Sequence, residues 1–375
     1  MSLRGRTMRI GIDARLIYYT DAGISQYTLR LIQGLAEIDQ EDEFLILRDR
    51  RDLLTITDNN FKRIKLWTPS HHRFEQWGLR FELPSLGLDL LHSPDFIPPF
   101  HRNFKSVITI HDLAFLLYPH FLTQDSARYY GQIDQAVKST DHIIAVSEST
   151  KQDTIRLLGV PESKLSVIYE AANPLYRPMD RDQARAYVRQ AYELEEYLLF
   201  VSTIEPRKNL PILLHAFRAL GDQYKVKTTL AIVGREGWLS KGTFALVEKL
   251  RLKDTVRFLG RVPVEDLVYL YNGAQALVHP SFYEGFGLPP MEAMLCGIPV
   301  ICSNVSALPE VVGDAALLVP PEEVSEWTVA MWRVLHDQEL RAEMQAKGYR
   351  RAQCFSVEKT ARQTLEVYRR VISEG

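Results

Sequence analysis

Short apolar runs alternate with helical periodicity along almost the whole of this 375-residue chain. That alternation constrains the fold more than any other feature. It is the pattern of parallel-sheet α/β domains, whose strands are covered on both faces and joined by helices. In the first half the expected strands are Met8–Ile12, Phe44–Leu47, Leu90–His92, Ser106–Ile110, His142–Val146 and Leu165–Ile168, with helices at about 24–38, 124–139 and 148–158. In the second half they are Leu198–Ser202, Thr229–Val233, Val256–Leu259, Ala276–Val278, Pro299–Ile301 and Ala316–Leu318, with helices between them and then at 322–336 and 338–352. Pro174, Pro178 and Asp180-Arg181-Asp182 mark a linker at about 172–181. The length exceeds one ordinary core. The expectation is therefore two Rossmann-like domains, 1–172 and 173–355, followed by one more helix at about 356–373.

Forty-five Lys and Arg against 47 Asp and Glu give a formal charge of −2, which points neither to a nucleic-acid partner nor to an acidic tail. No apolar run approaches the ~20 residues of a membrane span. The basic Met1–Arg9 runs straight into a strand and then Asp13 and Arg15, so no signal peptide is expected and the location expected is cytoplasmic. Cys296, Cys302 and Cys354 suit a reducing compartment, the first two as core thiols. No metal-ligand spacing is present and no cofactor is expected. The first strand runs into Gly11-Ile12-Asp13-Ala14-Arg15, and the strand ending at Val233 into Gly234-Arg235-Glu236-Gly237. Neither is a G-x-G-x-x-G turn, which argues against a nicotinamide or flavin enzyme.

One nine-residue stretch concentrates chemistry: Glu284-Gly285-Phe286-Gly287-Leu288-Pro289-Pro290-Met291-Glu292. It follows the strand ending at Val278 and opens a short helix, Pro289 to Cys296, with Pro at its start and Gly297 just beyond its end. Glu284 and the glycines then lie where free N–H groups and the positive end of a helix dipole meet an anion. Glu292 is expected in the first helical turn, able to accept from ligand hydroxyls. Phosphates beside vicinal hydroxyls describe a nucleotide sugar. Arg207 and Lys208 stand after another strand and before a helix near Asn209, where two cations suit a diphosphate.

These segments resemble the E-x7-E signature of retaining GT-B glycosyltransferases. The likeness extends through Ser306-Ala307-Leu308-Pro309-Glu310-Val311-Val312-Gly313-Asp314-Ala315-Ala316, Ser202-Thr203-Ile204-Glu205-Pro206-Arg207-Lys208-Asn209-Leu210 and Val107-Ile108-Thr109-Ile110-His111-Asp112-Leu113. It implies the GT-B fold, an α/β architecture of two Rossmann-like domains whose parallel sheets face each other across a cleft. It also implies that the last helix crosses back onto the first domain. Glu284 would bind sugar hydroxyls; Gly285 and the amides of Phe286, Gly287 and Leu288 would touch sugar and phosphate; Glu292 would accept from the ribose. Lys208 and Arg207 would stabilise the departing diphosphate. Many relatives have an Arg at the position of Thr203, and here P-R-K-N moves it to 207. His111 would line the sugar pocket as a positioner, and Gly23, Gly234 and Val262 would approach the phosphates and base. Only Gly23 of Ala22-Gly23-Ile24-Ser25 matches the usual pair of glycines. A plain helix start capped by Ser25 or Asp21 is the alternative there.

The pattern around I-E-P-R-K-N and Y-E-G-F-G-L-P is most similar to bacterial mannosyltransferases of polysaccharide assembly. This implies a GDP-mannose donor, with UDP-glucose next, and a saccharide or lipid-linked acceptor. The rivals are a sugar-nucleotide epimerase, a phosphorylase and a non-catalytic nucleotide-sugar-binding subunit. The aromatic and basic segment His71–Phe81 reads as a packing helix, with contact to a membrane surface as the second reading. Tyr18-Tyr19 and Tyr129-Tyr130 either line an acceptor cleft or fill space.

Overall fold

The computed structural model describes residues 7–20, 23–53, 60–119, 128–237 and 241–374. The chain divides into one unit of Met1–Ala171 with Ser356–Gly375 and another of Ala172–Phe355. In the first, β1 (Arg9–Asp13), β2 (Glu43–Asp49), β3 (Phe61–Leu66), β4 (Leu90–Ser93), β5 (Lys105–Ile110), β6 (His142–Ala145) and β7 (Leu165–Val167) form a sheet ordered β3-β2-β1-β4-β5-β6-β7. In the second, β8 (Tyr197–Val201), β9 (Thr229–Val233), β10 (Val256–Gly260), β11 (Ala276–His279), β12 (Val300–Ser303) and β13 (Leu317–Val319) are ordered β10-β9-β8-β11-β12-β13. The pairings are parallel throughout. The central strands are continuous apolar runs because helices cover both faces.

Strand order reverses between β1 and β4 in one sheet and between β8 and β11 in the other. Crossovers leave in opposite directions there and open a crevice at the carboxyl edge, where ligands of such folds bind.

Three elements differ from the sequence expectation. β3 was not anticipated: Lys62 and Lys65 are exposed and only Phe61 and Leu66 are fully buried, as befits an edge strand that needs charge to stay unpaired. The helix expected at 124–139 is broken in two: 128–130 are helical, Gly131–Gln132 form a turn, and a second helix runs Ile133–Ser139, while residues 120–127 lie outside the described ones. The segment His71–Phe81 is not a packing stripe. Its helix, Glu75–Glu82, buries Glu75 and Leu79 and turns Trp77, Arg80 and Phe81 outward.

The last helix, Val357–Ser373, belongs to the first unit. Ser356 caps it through Lys359 N at 3.2 Å, and it packs on the helix Gly23–Ile38. A Cβ at Gly34 would stand 2.8 Å from Val357 Cγ1, so the two helices touch where that side chain is missing. Ala361, Leu365 and Tyr368 complete the apolar core laid down by Ile10, Ile12 and Phe44. Tyr368 also bonds His92 Nδ1 at 2.6 Å, while His92 Nε2 meets Thr109 Oγ1 at 2.8 Å. Burial and the neighbouring His111 push His92 down to about 3, so this ring stays neutral at neutral pH. Tyr368→Ala removes a fully buried ring and leaves His92 without that partner. It should cost about 3–5 kcal/mol, read as a lower urea midpoint for the transition of the first unit.

Candidate active site

β8 ends at Val201, and the chain then makes a single 3-10 turn, Pro206–Lys208. Asn209 takes a left-handed φ of 54° to launch the helix Leu210–Tyr224. This turn places Arg207 and Lys208 opposite the loop after β11. Lys208 is buried, and its Nζ donates to both Glu284 oxygens, at 2.7 and 2.9 Å. His279 Nε2 donates to Glu284 Oε1 at 2.7 Å, and Arg207 Nη1 lies 3.5 Å from Oε2. Arg207 is braced by Glu205 at 2.9 Å and by the Tyr283 carbonyl at 2.8 Å. Burial alone would push the Glu284 carboxyl up; Lys208, His279 and Arg207 overcome it and hold the group well below the usual carboxylate range. Burial lowers His279, which is fully enclosed, so it serves Glu284 as a neutral donor.

The Glu284 backbone is pinned by Ser306 Oγ, which accepts from its N–H at 2.9 Å. Gly285, Phe286 and Gly287 are buried, with Phe286 edge-on to Phe355 at 5.6 Å. Gly287 adopts φ 114° and precedes the helix Leu288–Leu295. That conformation favours glycine, and a Cβ would also come within 2.9 Å of Leu308. The helix begins at Leu288, one residue earlier than expected, so Glu292 is its fifth residue and lies just past the first turn. It is buried, and Tyr271 Oη donates to its Oε2 at 2.9 Å. Gly234 follows β9 with φ 145°, and a Cβ there would stand 1.8 Å from the Ser202 carbonyl oxygen. It thus fixes the approach of the β8 and β9 exits. Val262 is half-buried between β10 and the helix Val264–Gly273. It makes no contact with the Glu284 cluster among the hydrogen bonds described.

In the first unit, His111 follows β5. Its Nδ1 is 2.6 Å from Glu170 Oε1, and its Nε2 donates to the Pro94 carbonyl at 2.9 Å. A carbonyl can only accept, and an ionised carboxylate likewise, so both ring nitrogens carry protons. Burial opposes that charge, but Glu170 and the Pro94 carbonyl outweigh it and raise His111 above its ordinary value. The ring is unsuited to act as a base, and Tyr27 meets it edge-on at 4.8 Å. Asp112 accepts from Ala114 N at 3.0 Å, starting the short helix after it. Gly23 begins the helix Gly23–Ile38, exposed and with open space around a Cβ position. Among the described residues the Ser25 Oγ is buried with no hydrogen-bond partner, so Ser25 does not cap this helix, and Asp21 lies outside the described residues.

The family model described as glycosyl transferases group 1 matches residues 185–351, and that described as glycosyltransferase family 4 matches residues 22–174. O-antigen chain mannosyltransferase B of Escherichia coli is 33% identical over 385 residues, spanning 96% of this chain and 100% of its own length. The chain belongs to the group 1, family 4 glycosyltransferases. Sucrose-phosphate synthase from Thermosynechococcus elongatus superposes with a TM-score of 0.81 at 22% identity, covering 98% of this chain and 100% of that one. Anabaena Alr3699/HepE, solved in complex with UDP-glucose, superposes with a TM-score of 0.75 at 20% identity, covering 96% and 99%. The two sheets are those of the GT-B fold.

For this glycosyltransferase the sequence anticipates Arg207, Lys208 and Glu284 as separate groups, whereas the fold joins them in one ionic cluster. His279, Tyr271 and Glu170 escape a reading by pattern. His279 sits in an apolar strand, Tyr271 on a helix otherwise read as packing, and Glu170 in the coil after β7, sixty residues or so from the histidine it meets. The His111–Glu170 pair predicts a pH dependence. A raised folded value means that its stabilisation is complete below the unfolded histidine value of about 6.5 and is lost as pH rises through the folded one. The stability difference between wild type and Glu170→Gln should therefore be largest below the unfolded histidine value of about 6.5 and shrink as pH rises above it, measured by urea denaturation at a series of pH values.

Proposed function

We propose that this enzyme transfers mannose from GDP-mannose, with UDP-glucose as the second donor to test, to a hydroxyl of a saccharide or lipid-linked acceptor in polysaccharide assembly. The anomeric configuration is retained and no metal is required. The donor preference rests on similarity to the Escherichia coli mannosyltransferase. The mechanism rests on one observation: at the strand-order reversal of the second sheet, Arg207 and Lys208 converge on a buried Glu284.

Each Glu284 oxygen receives two contacts, Oε1 from Lys208 and His279, Oε2 from Lys208 and Arg207. Such a carboxylate is a poor nucleophile and a good fixed acceptor for sugar hydroxyls. Double displacement through Glu284 is thereby disfavoured. In same-face substitution the bond from the anomeric carbon to the leaving phosphate oxygen breaks as the acceptor oxygen bonds on that face. The acceptor proton passes to the departing phosphate. Lys208 has a third N–H beyond the two given to Glu284, and with Arg207 it meets the charge growing on the diphosphate. The amides of Gly285 to Leu288 and the helix start behind them cradle donor oxygens, with Gly234 and Val262 as further donor-binding backbone and Gly23 as the donor contact proposed for the first unit. Glu292, held by Tyr271, accepts from the ribose, and His111 orients the sugar as a donor.

Lys208→Ala should lower kcat for GDP-mannose turnover by about 10²–10³-fold, with the donor KM changing far less and activity persisting in EDTA. Unchanged kcat at saturating donor would remove Lys208 from the leaving-group role, and loss of wild-type activity in EDTA would overturn metal independence.

We also infer peripheral contact with an anionic bilayer. Trp67, Trp77, Phe81 and Phe74 are 71, 68, 66 and 56% exposed. Arg50 lies over the Trp67 ring at 4.2 Å, and Arg73 over Phe74 at 4.7 Å. Aromatic rings interleaved with arginines match a lipid interface with negative headgroups. The nearby acids are already paired: Glu75 with Arg15, Glu82 with the amides of Trp67 and Thr68. The protein should co-sediment with phosphatidylglycerol-containing vesicles and not with pure phosphatidylcholine, and Trp77→Ala/Phe81→Ala should abolish it. Sedimentation with neither, or a wild-type dimer dissolved by the same double variant, would overturn this reading.

A further inference from the structure

The reversal between β1 and β4 carries a second polar cluster, which the reading above leaves without a role. Asp13 ends β1, and its carboxylate is held by Arg15 through Nε at 2.9 Å and Nη2 at 2.6 Å. Arg15 is 1% exposed, and its Nη2 also meets Glu75 at 2.5 Å. Glu75 in turn accepts from the His71 backbone N–H at 2.9 Å. His71 Nε2 donates to Asp95 Oδ2 at 2.5 Å, and Tyr129 Oη donates to the same oxygen at 2.8 Å. The Tyr129 ring stacks on the imidazole, with centroids 3.9 Å apart and planes 27° apart. Asp95 follows Pro94, whose carbonyl receives the His111 proton. The exit of β4 therefore ties this cluster to the histidine already assigned to the sugar.

Most polar atoms here are satisfied inward, but His71 is an exception. Its side chain is 37% exposed, and its backbone is left-handed at φ 59°, an unusual conformation for a side chain of this size. Nε2 is engaged by Asp95, while Nδ1 has no hydrogen-bond partner among the described residues. An aspartate behind one nitrogen, an aromatic face against the ring and an open second nitrogen form a preoriented donor.

We propose that this cluster is the acceptor-saccharide subsite, in which His71 grips an acceptor hydroxyl through Nδ1 while Asp95 and Tyr129 position the ring. The inference rests on the transferase reading and assigns it the residues that hold the second substrate. The charge balance selects the ligand class. Among the described residues Asp13, Glu75 and Asp95 form ion pairs with Arg15 and His71, three carboxylates to two cations, which disfavours a phosphate, whereas a neutral polyol finds fixed donors and acceptors beside an aromatic ring. Burial lowers His71, but Asp95, Glu75 and Asp13 outweigh it and raise the imidazole above its ordinary value, in keeping with a donating ring. His71 is a binding group here and takes no proton from the acceptor.

The test uses the full-length enzyme, GDP-mannose and p-nitrophenyl α-mannoside as the probe acceptor. Asparagine tolerates the left-handed backbone, so His71→Asn removes the imidazole with the main chain retained. It should lower kcat/KM for the mannoside by about tenfold or more, chiefly through KM, with the KM for GDP-mannose and its acceptor-independent hydrolysis changed by no more than about twofold. Asp95→Asn, which leaves the ring in place and loosely held, should shift the same parameter less. The His71 ring resonances of the wild type should move on adding the mannoside. Unchanged acceptor kcat/KM in His71→Asn, or equal losses of transfer and hydrolysis, would overturn the proposal. A wild type that hydrolyses GDP-mannose yet neither transfers to the mannoside nor shows a resonance shift with it would overturn it too. Absence of hydrolysis and of GDP binding would instead bring down the donor reading beneath it.

Discussion

In a parallel sheet every strand ends on the same edge, and each must be followed by a crossover that returns the chain to the other. Where the order of strands reverses, two crossovers depart in opposite directions and the edge is left uncovered. Both units have one such place, beside β1 and β4 and beside β8 and β11. The sheets are otherwise covered largely by apolar side chains, so the uncovered edge is a natural place for charge to collect. The buried contact of Lys208 with Glu284 follows from this. Taking two charges out of water is costly, and an apolar pair of the same volume would often be as stable. Orientation is what the ion cluster provides. Glu284 has both oxygens fixed, its backbone held by Ser306, and His279 behind it.

The same logic governs the first unit, with a different chemical balance. His111 is held as a double donor by Glu170 and Pro94, and His92 beneath it is kept neutral by burial. Two histidines in one core thus have opposite protonation, set by whether each meets a carboxylate or a hydroxyl.

The architecture was legible because strands buried on both faces read as near-continuous apolar runs, as β8 and β9 do most clearly. β3 was not, since an edge strand carrying Lys62, Arg63 and Lys65 looks like polar coil. The outward face of Trp77 and Phe81 was misjudged because helical spacing fixes which residues share a face and not which way that face turns. Glu292 moved one position, just past the first turn, because Leu288, not a proline, takes the first helical position. In the site, the residue types were visible, and their chemistry could be guessed from type and loop position. Their pairing was not: Lys208 and Glu284 stand 76 positions apart and His111 and Glu170 stand 59 apart. Contacts of that range depend on sheet order, which no local pattern encodes.

The helix Val357–Ser373 closes the core of the unit that the chain began with, after the whole of Ala172–Phe355 has been made. On a ribosome the first unit must therefore wait, with Ile10, Ile12 and Phe44 short of their covering helix and His92 short of Tyr368. The second unit, continuous in sequence, can reach its native packing first. Synthesis order and assembly order run opposite to each other in this chain, and a protein cut short before Ser356 would carry a finished second unit attached to an open first one.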